Sequence, residues 1–173
     1  RPCPNPRKCL TLVGSERTVG IEELRDRTQE MGKILLECAG NGGGCGFGLM
    51  SVATWSGVPL LDLLDETDVL STATHVKIRG FDTYPEAASS SSEGASWVFS
   101  LEQIAQFGPF LATLMNGEPL PRNHGQPVRF LMPLWYGCTQ IKWVEEITLV
   151  DATELSTNHM REFASRTHQT GQP

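Results

Sequence analysis

The sequence predicts an α+β domain built from mixed β-sheets and short helices. Two observations lead there. Short apolar runs that read as strands are interleaved with short helical stretches, and clusters of turn residues fall between them at hairpin spacing. At 173 residues, with 39% apolar and 20% charged residues, the chain is one domain by length and can bury a core without staples. No internal repeat is visible.

The elements follow in chain order. Residues 1–9, with three prolines and two cysteines, read as an irregular segment. A domain over residues 10–150 begins with an apolar strand, Leu10–Val13. Ile21–Gln29 has the spacing of a short helix, with Glu22 and Glu23 favourably placed in its first turn. Ile34–Cys38 reads as a buried strand. PLLDLLDET reads as a second helix, with Pro59 in the first turn, where its missing N–H costs nothing. His75–Phe81 alternates as a strand should. Ala87–Gly94, AASSSSEG, is a small-residue loop. A strand at Trp97–Phe99 leads into the helix LEQIAQF, with Ser100 as N-cap and Gln103 completing a capping box. Phe110–Met115 and Val128–Met132 flank a loop rich in turn residues, opened by the tight-turn pair Asn116-Gly117. Ile141–Val150 is the last strand. Residues 151–173 form a polar tail, helical or disordered.

Composition narrows the function. The net charge of −6 argues against a general nucleic-acid surface, so an anionic ligand needs a local cationic pocket. No apolar run approaches the roughly 20 residues that span a bilayer. Five cysteines (Cys3, Cys9, Cys38, Cys45, Cys138) are an odd number without CxxC or zinc spacing, so at least one thiol is left over. Location stays open, since no targeting segment is visible and the chain opens on Arg1 rather than Met.

The stretch ILLECAGNGGGCGFG, Ile34–Gly48, runs from a strand into a loop nearly free of side chains. A nucleotide site is disfavoured, because neither GxGxxG nor GK[ST] fits any register. Cys38 as a nucleophile needs a base, for which His75, His124, His159 and His168 are candidates. Cys38 as a small buried hydrophobe is the commonest fate of such a residue. Cys38 as a soft-metal ligand would have a fixed direction at a strand end, with room beyond it for a bulky cofactor. The segment Pro121–Trp143 supplies cations for a phosphate on such a cofactor: Arg122, His124, Arg129 and Lys142. Arg122 reads as a surface charge, whereas Arg129 and Lys142 sit inside otherwise apolar runs.

ECAGN, TWSGVPLLDLL, RGFD, MNGEPLPRNHGQPVRFLMP and GCTQIKWVEEI occur in this order. Together they resemble the molybdopterin-binding domain of the sulfite oxidase family, over about residues 10–150. The resemblance implies the sulfite oxidase-type fold and molybdenum-molybdopterin as cofactor. Cys38 matches the cysteine that ligates molybdenum, and Asp82 a cofactor-contacting aspartate. His124 and Arg129 match the pair that holds the pterin and its phosphate. Gln140, Ile141 and Lys142 match the segment whose backbone and lysine clasp the cofactor. The implied activity is oxygen-atom transfer to or from a small substrate, with electrons leaving to an external haem protein. A molybdopterin-binding protein without turnover is the alternative, and a cysteine hydrolase a third reading. The resemblance also makes a periplasmic or organellar location possible.

The chain departs from the family pattern around the substrate. Gly42 and Gly43 stand where sulfite oxidases have two arginines, and a segment between Gly48 and Trp55 looks shortened. Residues 151–173 contain no tyrosine to match the active-site tyrosine of the family. Its N-terminal cofactor-contacting segment and its immunoglobulin-like domain have no counterpart in this sequence. These differences predict poor binding of sulfite and a preference for a neutral or larger substrate.

Overall fold

The computed structural model of the protein describes residues 9–13, 17–65, 73–82, 94–151, 153 and 156–163. The irregular reading of residues 1–8, most of the small-residue loop and the end of the second expected helix lie outside them. Among these residues ten strands form two sheets, in the order β1(Cys9–Val13), β2(Arg17–Gly20), β3(Gln29–Glu37), β4(Met50–Pro59), β5(His75–Gly80), β6(Ser96–Ser100), β7(Phe110–Met115), β8(Glu118–Pro119), β9(Arg129–Leu131) and β10(Val144–Val150). Four short helices accompany them: α1(Ile21–Asp26), α2(Leu60–Leu64), α3(Leu101–Phe107) and α4(Asn158–Phe163).

The first sheet runs β2-β1-β10-β5-β6 and is mixed, because β1 lies parallel to β10 while the other pairs are antiparallel. Register carries one apolar row across it, Leu12 against Ile147, Ile147 against Ile78 and Ile78 against Trp97. All four residues are buried in one core, which α1, α2, α3 and α4 also enter through Leu24, Leu63, Ile104 and Met160. The second sheet runs β3-β4-β7-β8 and is antiparallel, with β9 also pairing β7. Its two faces have different fates, because successive side chains alternate. Val58, Leu111 and Phe130 point into the main core, while Trp55, Phe110, Ala112 and Leu131 form a smaller cluster behind the sheet. Arg129 pairs with Ala112 and Leu131 with Phe110, so Arg129 belongs to that second face.

Several boundaries depart from the sequence reading. Ile34–Cys38 is the end of a nine-residue strand whose outer face is open, with Leu35 48% exposed, so it is an edge strand rather than a buried one. Cys38 is itself exposed. The helix expected over Ile21–Gln29 stops at Asp26, because Gln29 already pairs with Gly57. Pro59 ends β4 in extended conformation instead of opening α2. Lys142 lies ahead of β10 rather than within a strand, since the chain turns at Trp143 (φ 53°) before pairing resumes at Val144. β2 and β4 were not expected at all. The part of the tail described at residues 156–163 carries α4, pinned to β6 where Thr157 Oγ1 donates to Ser96 O at 2.7 Å.

The sheet positions and local signals agree at the α3 cap and at the β7–β8 turn. Ser100 Oγ accepts from Gln103 N at 3.1 Å while Gln103 Oε1 accepts from Ser100 N at 2.9 Å. Asn116 and Gly117 both have positive φ, as a primed hairpin turn requires.

Candidate cofactor site

The smaller cluster opens into a cavity of about 410 Å³, with Leu36, Ala53 and Trp55 on one side and His124, Arg129 and Lys142 on the other. Alternation along β9 sends Arg129 into this space, where only 8% of the residue is exposed. Its guanidinium lies 5.6 Å from the Trp55 ring centroid, and Nη1 donates to His124 O at 3.4 Å. Among the described residues its buried Nε has no hydrogen-bond partner and no carboxylate lines this cavity. Burial therefore pulls the Arg129 pKa down to about 10.

Lys142 is the wall between this cavity and a larger one of about 860 Å³. Its Nζ donates to Asn123 O at 3.1 Å and lies 4.7 Å from the Trp143 centroid. Burial lowers its pKa first and nearby Arg129 lowers it further, while Asp82 opposes both. His124 is held by Asn123, whose Oδ1 accepts from its Nδ1 at 2.8 Å. The turn that carries His124 closes against the two cations at Gly125 (φ 111°), where an added Cβ would meet Arg129 Cβ at 3.0 Å. Only glycine adopts that backbone freely.

The larger cavity is lined by Asp82, Gln140, Ile141 and Lys142, with Gly137, Cys138 and His159. Asp82 sits just past β5, its Oδ1 accepting from Ala95 N at 3.1 Å. Cys38 follows β3 directly, and its N–H extends the ladder by donating to Leu49 O at 2.9 Å. Gly137 packs on this strand end: a Cβ there would lie 3.3 Å from Glu37 O and 3.9 Å from Cys38 Cα. So the wall of the large cavity and the Cys38 backbone touch.

All seven residues singled out from sequence thus fall around two adjoining cavities or at their edge, though they differ in what they present. The Gln140 side chain is spent inside the protein, bridging Met132 N, Met132 O and Trp135 O at 2.7, 2.7 and 3.0 Å. Ile141 is core, and its carbonyl accepts from Phe130 N. Of this segment Lys142 offers the charged side chain. Asn123, Trp55 and Trp143 are not among the site residues singled out from sequence, although each lies inside one of the quoted motifs.

A buried, partnerless guanidinium nitrogen in a carboxylate-free cavity with two further basic side chains suits an anionic group such as a phosphate. The space beyond Lys142 is wide enough for a bulky ring system. The residues therefore fit a phosphate-bearing pterin. Residues 9–159 match the profile of the oxidoreductase molybdopterin binding domain.

The chain belongs to that family.

Molybdopterin with its molybdenum is accordingly the cofactor of this domain. The mitochondrial sulfite oxidase of Macaca fascicularis is 28% identical over 164 residues, covering 87% of this chain and 30% of that protein. That of Drosophila melanogaster is 35% identical over 151 residues, 83% of this chain and 25% of the relative. The NADPH nitrate reductase of Fusarium oxysporum is 35% identical over 100 residues, covering 58% of the chain and 11% of the relative. Among solved structures, the sulfane dehydrogenase SoxCD from Paracoccus pantotrophus superposes with TM-score 0.70 at 25% identity, over 85% of this chain and 39% of that one. The molybdopterin-binding domain described here therefore spans under a third of the length of these curated relatives.

Proposed function

We propose that this chain holds molybdopterin-bound molybdenum and serves an oxidoreductase that moves an oxygen atom to or from a small substrate. Electrons then leave to an external haem protein. The supporting observation is Arg129, a buried cation whose Nε lacks a partner. An unpaired buried charge is costly, so its retention is best explained by an anionic ligand. Arg129, Lys142 and His124 hold the cofactor phosphate, with Arg129 offering a planar fork and Lys142 a point charge. Asp82, oriented by the Ala95 amide, would contact the cofactor from the wall of the larger cavity. Cys38 supplies sulfur, a soft ligand suited to the metal. When bound, the cofactor supplies the two-electron chemistry, and the chain supplies its orientation and the exclusion of water.

Natively purified protein tests this through molybdenum analysis and the fluorescence of released, oxidised pterin. One molybdenum and one pterin per chain are expected, and their joint absence overturns the reading. Binding without turnover is the second reading, favoured by Gly42 and Gly43 standing where the family resemblance places two arginines. Reduction of the bound metal by candidate substrates separates the two.

A further inference from the structure

The loop after β3 is held by a side chain that the cofactor reading does not use. Asn41 Nδ2 donates to Glu37 Oε1 at 3.0 Å, and its Oδ1 accepts from Leu49 N at 3.0 Å. Its backbone N–H donates to Cys38 O at 2.9 Å and closes a turn over Cys38–Asn41. Glu37 is the last residue of β3, and Leu49 stands opposite Cys38 just ahead of β4, so Asn41 ties together the two strand ends that flank Cys38. Within that turn the Gly40 N–H donates to Cys38 Sγ at 3.4 Å. From Gly42 to Gly48 the loop has only Cys45 and Phe47 as residues with side chains. The shape of the turn therefore depends on Asn41.

We propose that Asn41 is a positioning residue that aims the Gly40 N–H at the Cys38 sulfur, and that this hydrogen bond sets the reduction potential of the metal. The proposal rests on the reading of Cys38 as the sulfur ligand and adds how the chain tunes that ligand. A hydrogen bond to a ligating thiolate draws electron density from the sulfur and weakens its donation to the metal, which favours the reduced state. Without that bond the sulfur donates more strongly and holds the metal oxidised. Cys38 is exposed, so loss of the turn replaces a fixed amide by water of no fixed orientation. Asparagine suits the position because it offers a donor to Glu37 and an acceptor to Leu49 at once. Aspartate there keeps the acceptor but sets a second carboxylate against Glu37.

The test uses natively purified protein in four forms: wild type, Asn41→Ala, Asn41→Asp, and Asn41→Asp combined with Glu37→Gln. In the last, the introduced glutamine amide donates to the introduced carboxylate, so the link returns with donor and acceptor exchanged. Redox titration followed by the metal's absorption and paramagnetic resonance reads the potential. Hydrogen exchange of the Leu49 amide reads the turn, and molybdenum and pterin analysis reads loading.

Asn41→Ala and Asn41→Asp should lower the potential, so that at a poise fixed at the wild-type midpoint the ratio of oxidised to reduced metal rises on the order of tenfold. The Leu49 amide should exchange roughly tenfold faster in Asn41→Ala. The double variant should restore the wild-type potential. Pterin loading should stay at the wild-type level throughout, because Arg129, Lys142 and His124 are untouched. Faster exchange with an unmoved potential shows a turn that is structural only, and overturns the proposal. A lowered potential that the double variant does not restore overturns it as well. If Asn41→Ala does not fold, the Asn41→Asp and double variants decide. Wild-type protein without molybdenum or pterin overturns the cofactor reading and this proposal with it, whereas bound molybdenum with an unmoved potential overturns this proposal alone.

Discussion

At the scale of the residue, Arg129 is where stability and binding conflict. A pKa lowered to about 10 by burial means that the charged form costs the folded, cofactor-free protein on the order of a few kcal/mol. The folded pKa lies below the unfolded one, so the unfolded state binds more protons as pH rises above about 10. The cost is therefore complete at neutral pH and is relieved only as pH rises through that window. Arg129→Met is expected to raise the thermal midpoint of cofactor-free protein and to let the Lys142 pKa move back up, since Arg129 is one of the groups depressing it. The same variant should purify with little pterin, because a charge-assisted bond to a buried phosphate contributes roughly 1.5–3 kcal/mol. A variant no more stable than wild type, or one loaded to the same extent, contradicts this account. Cys38 poses a different test. Cys38→Ser should abolish turnover and change the metal's absorption spectrum while pterin stays bound, whereas Cys45→Ser should leave both intact. Cys45 lies on the exposed side of the glycine loop, where the Gly42 N–H donating to its Sγ lowers its pKa. Rapid alkylation of Cys45 at neutral pH without loss of activity is the expected signature.

At the scale of the element, the parts legible in the sequence are those with a local physical signal. α3 reads directly because Ser100 and Gln103 satisfy each other's backbone neighbours. Ser100→Ala should cost about 1 kcal/mol in chemical denaturation, and a change below a few tenths would show the cap to be idle. β5 reads because His75–Gly80 alternates between half-buried and buried. β4 does not read, although it pairs with both β3 and β7, because MSVATWSGVP mixes small polar and apolar residues without clean alternation. Its place is fixed by partners distant in sequence, which a single pass along the chain cannot supply. The turn at Gly125 is a similar case for the site. Residues His124, Arg129 and Lys142 were recognisable as a group, but their closeness depends on a φ of 111° and on a side-chain-free Cα against two cations. Gly125→Ala is expected to destabilise the fold by roughly 1–3 kcal/mol through overpacking and to lower pterin occupancy with it. Full occupancy in a stable variant would show that the turn does not set the cation geometry.

At the scale of the whole molecule, the charge distribution sets which substrate is to be expected. The chain carries −6 overall, and its site cations, Arg129, Lys142 and His124, converge on the cavity assigned to the cofactor phosphate. From Asn41 to Trp55 there is no Lys or Arg. That loop instead presents exposed Phe47, Leu49 and Met50 beside the Cys38 strand end. Among the described residues of the tail the cation is Arg161, which is exposed and hydrogen-bonded to Asn158 and Ser156 of its own segment. Binding a dianion such as sulfite next to the metal requires converging positive charge, because desolvating an unpaired anion is costly. Weak or non-saturable sulfite oxidation is therefore expected, with preference for a neutral substrate such as a sulfoxide or N-oxide. Steady-state assays of both classes against an artificial electron carrier check it, with ionic strength as a second variable. Neutral-substrate turnover should be nearly independent of salt, since no long-range charge steers it. A sulfite KM in the micromolar range that rises sharply in Arg161→Ala would mean that α4 delivers its arginine to the metal. The apolar loop would then not be the surface that selects the substrate.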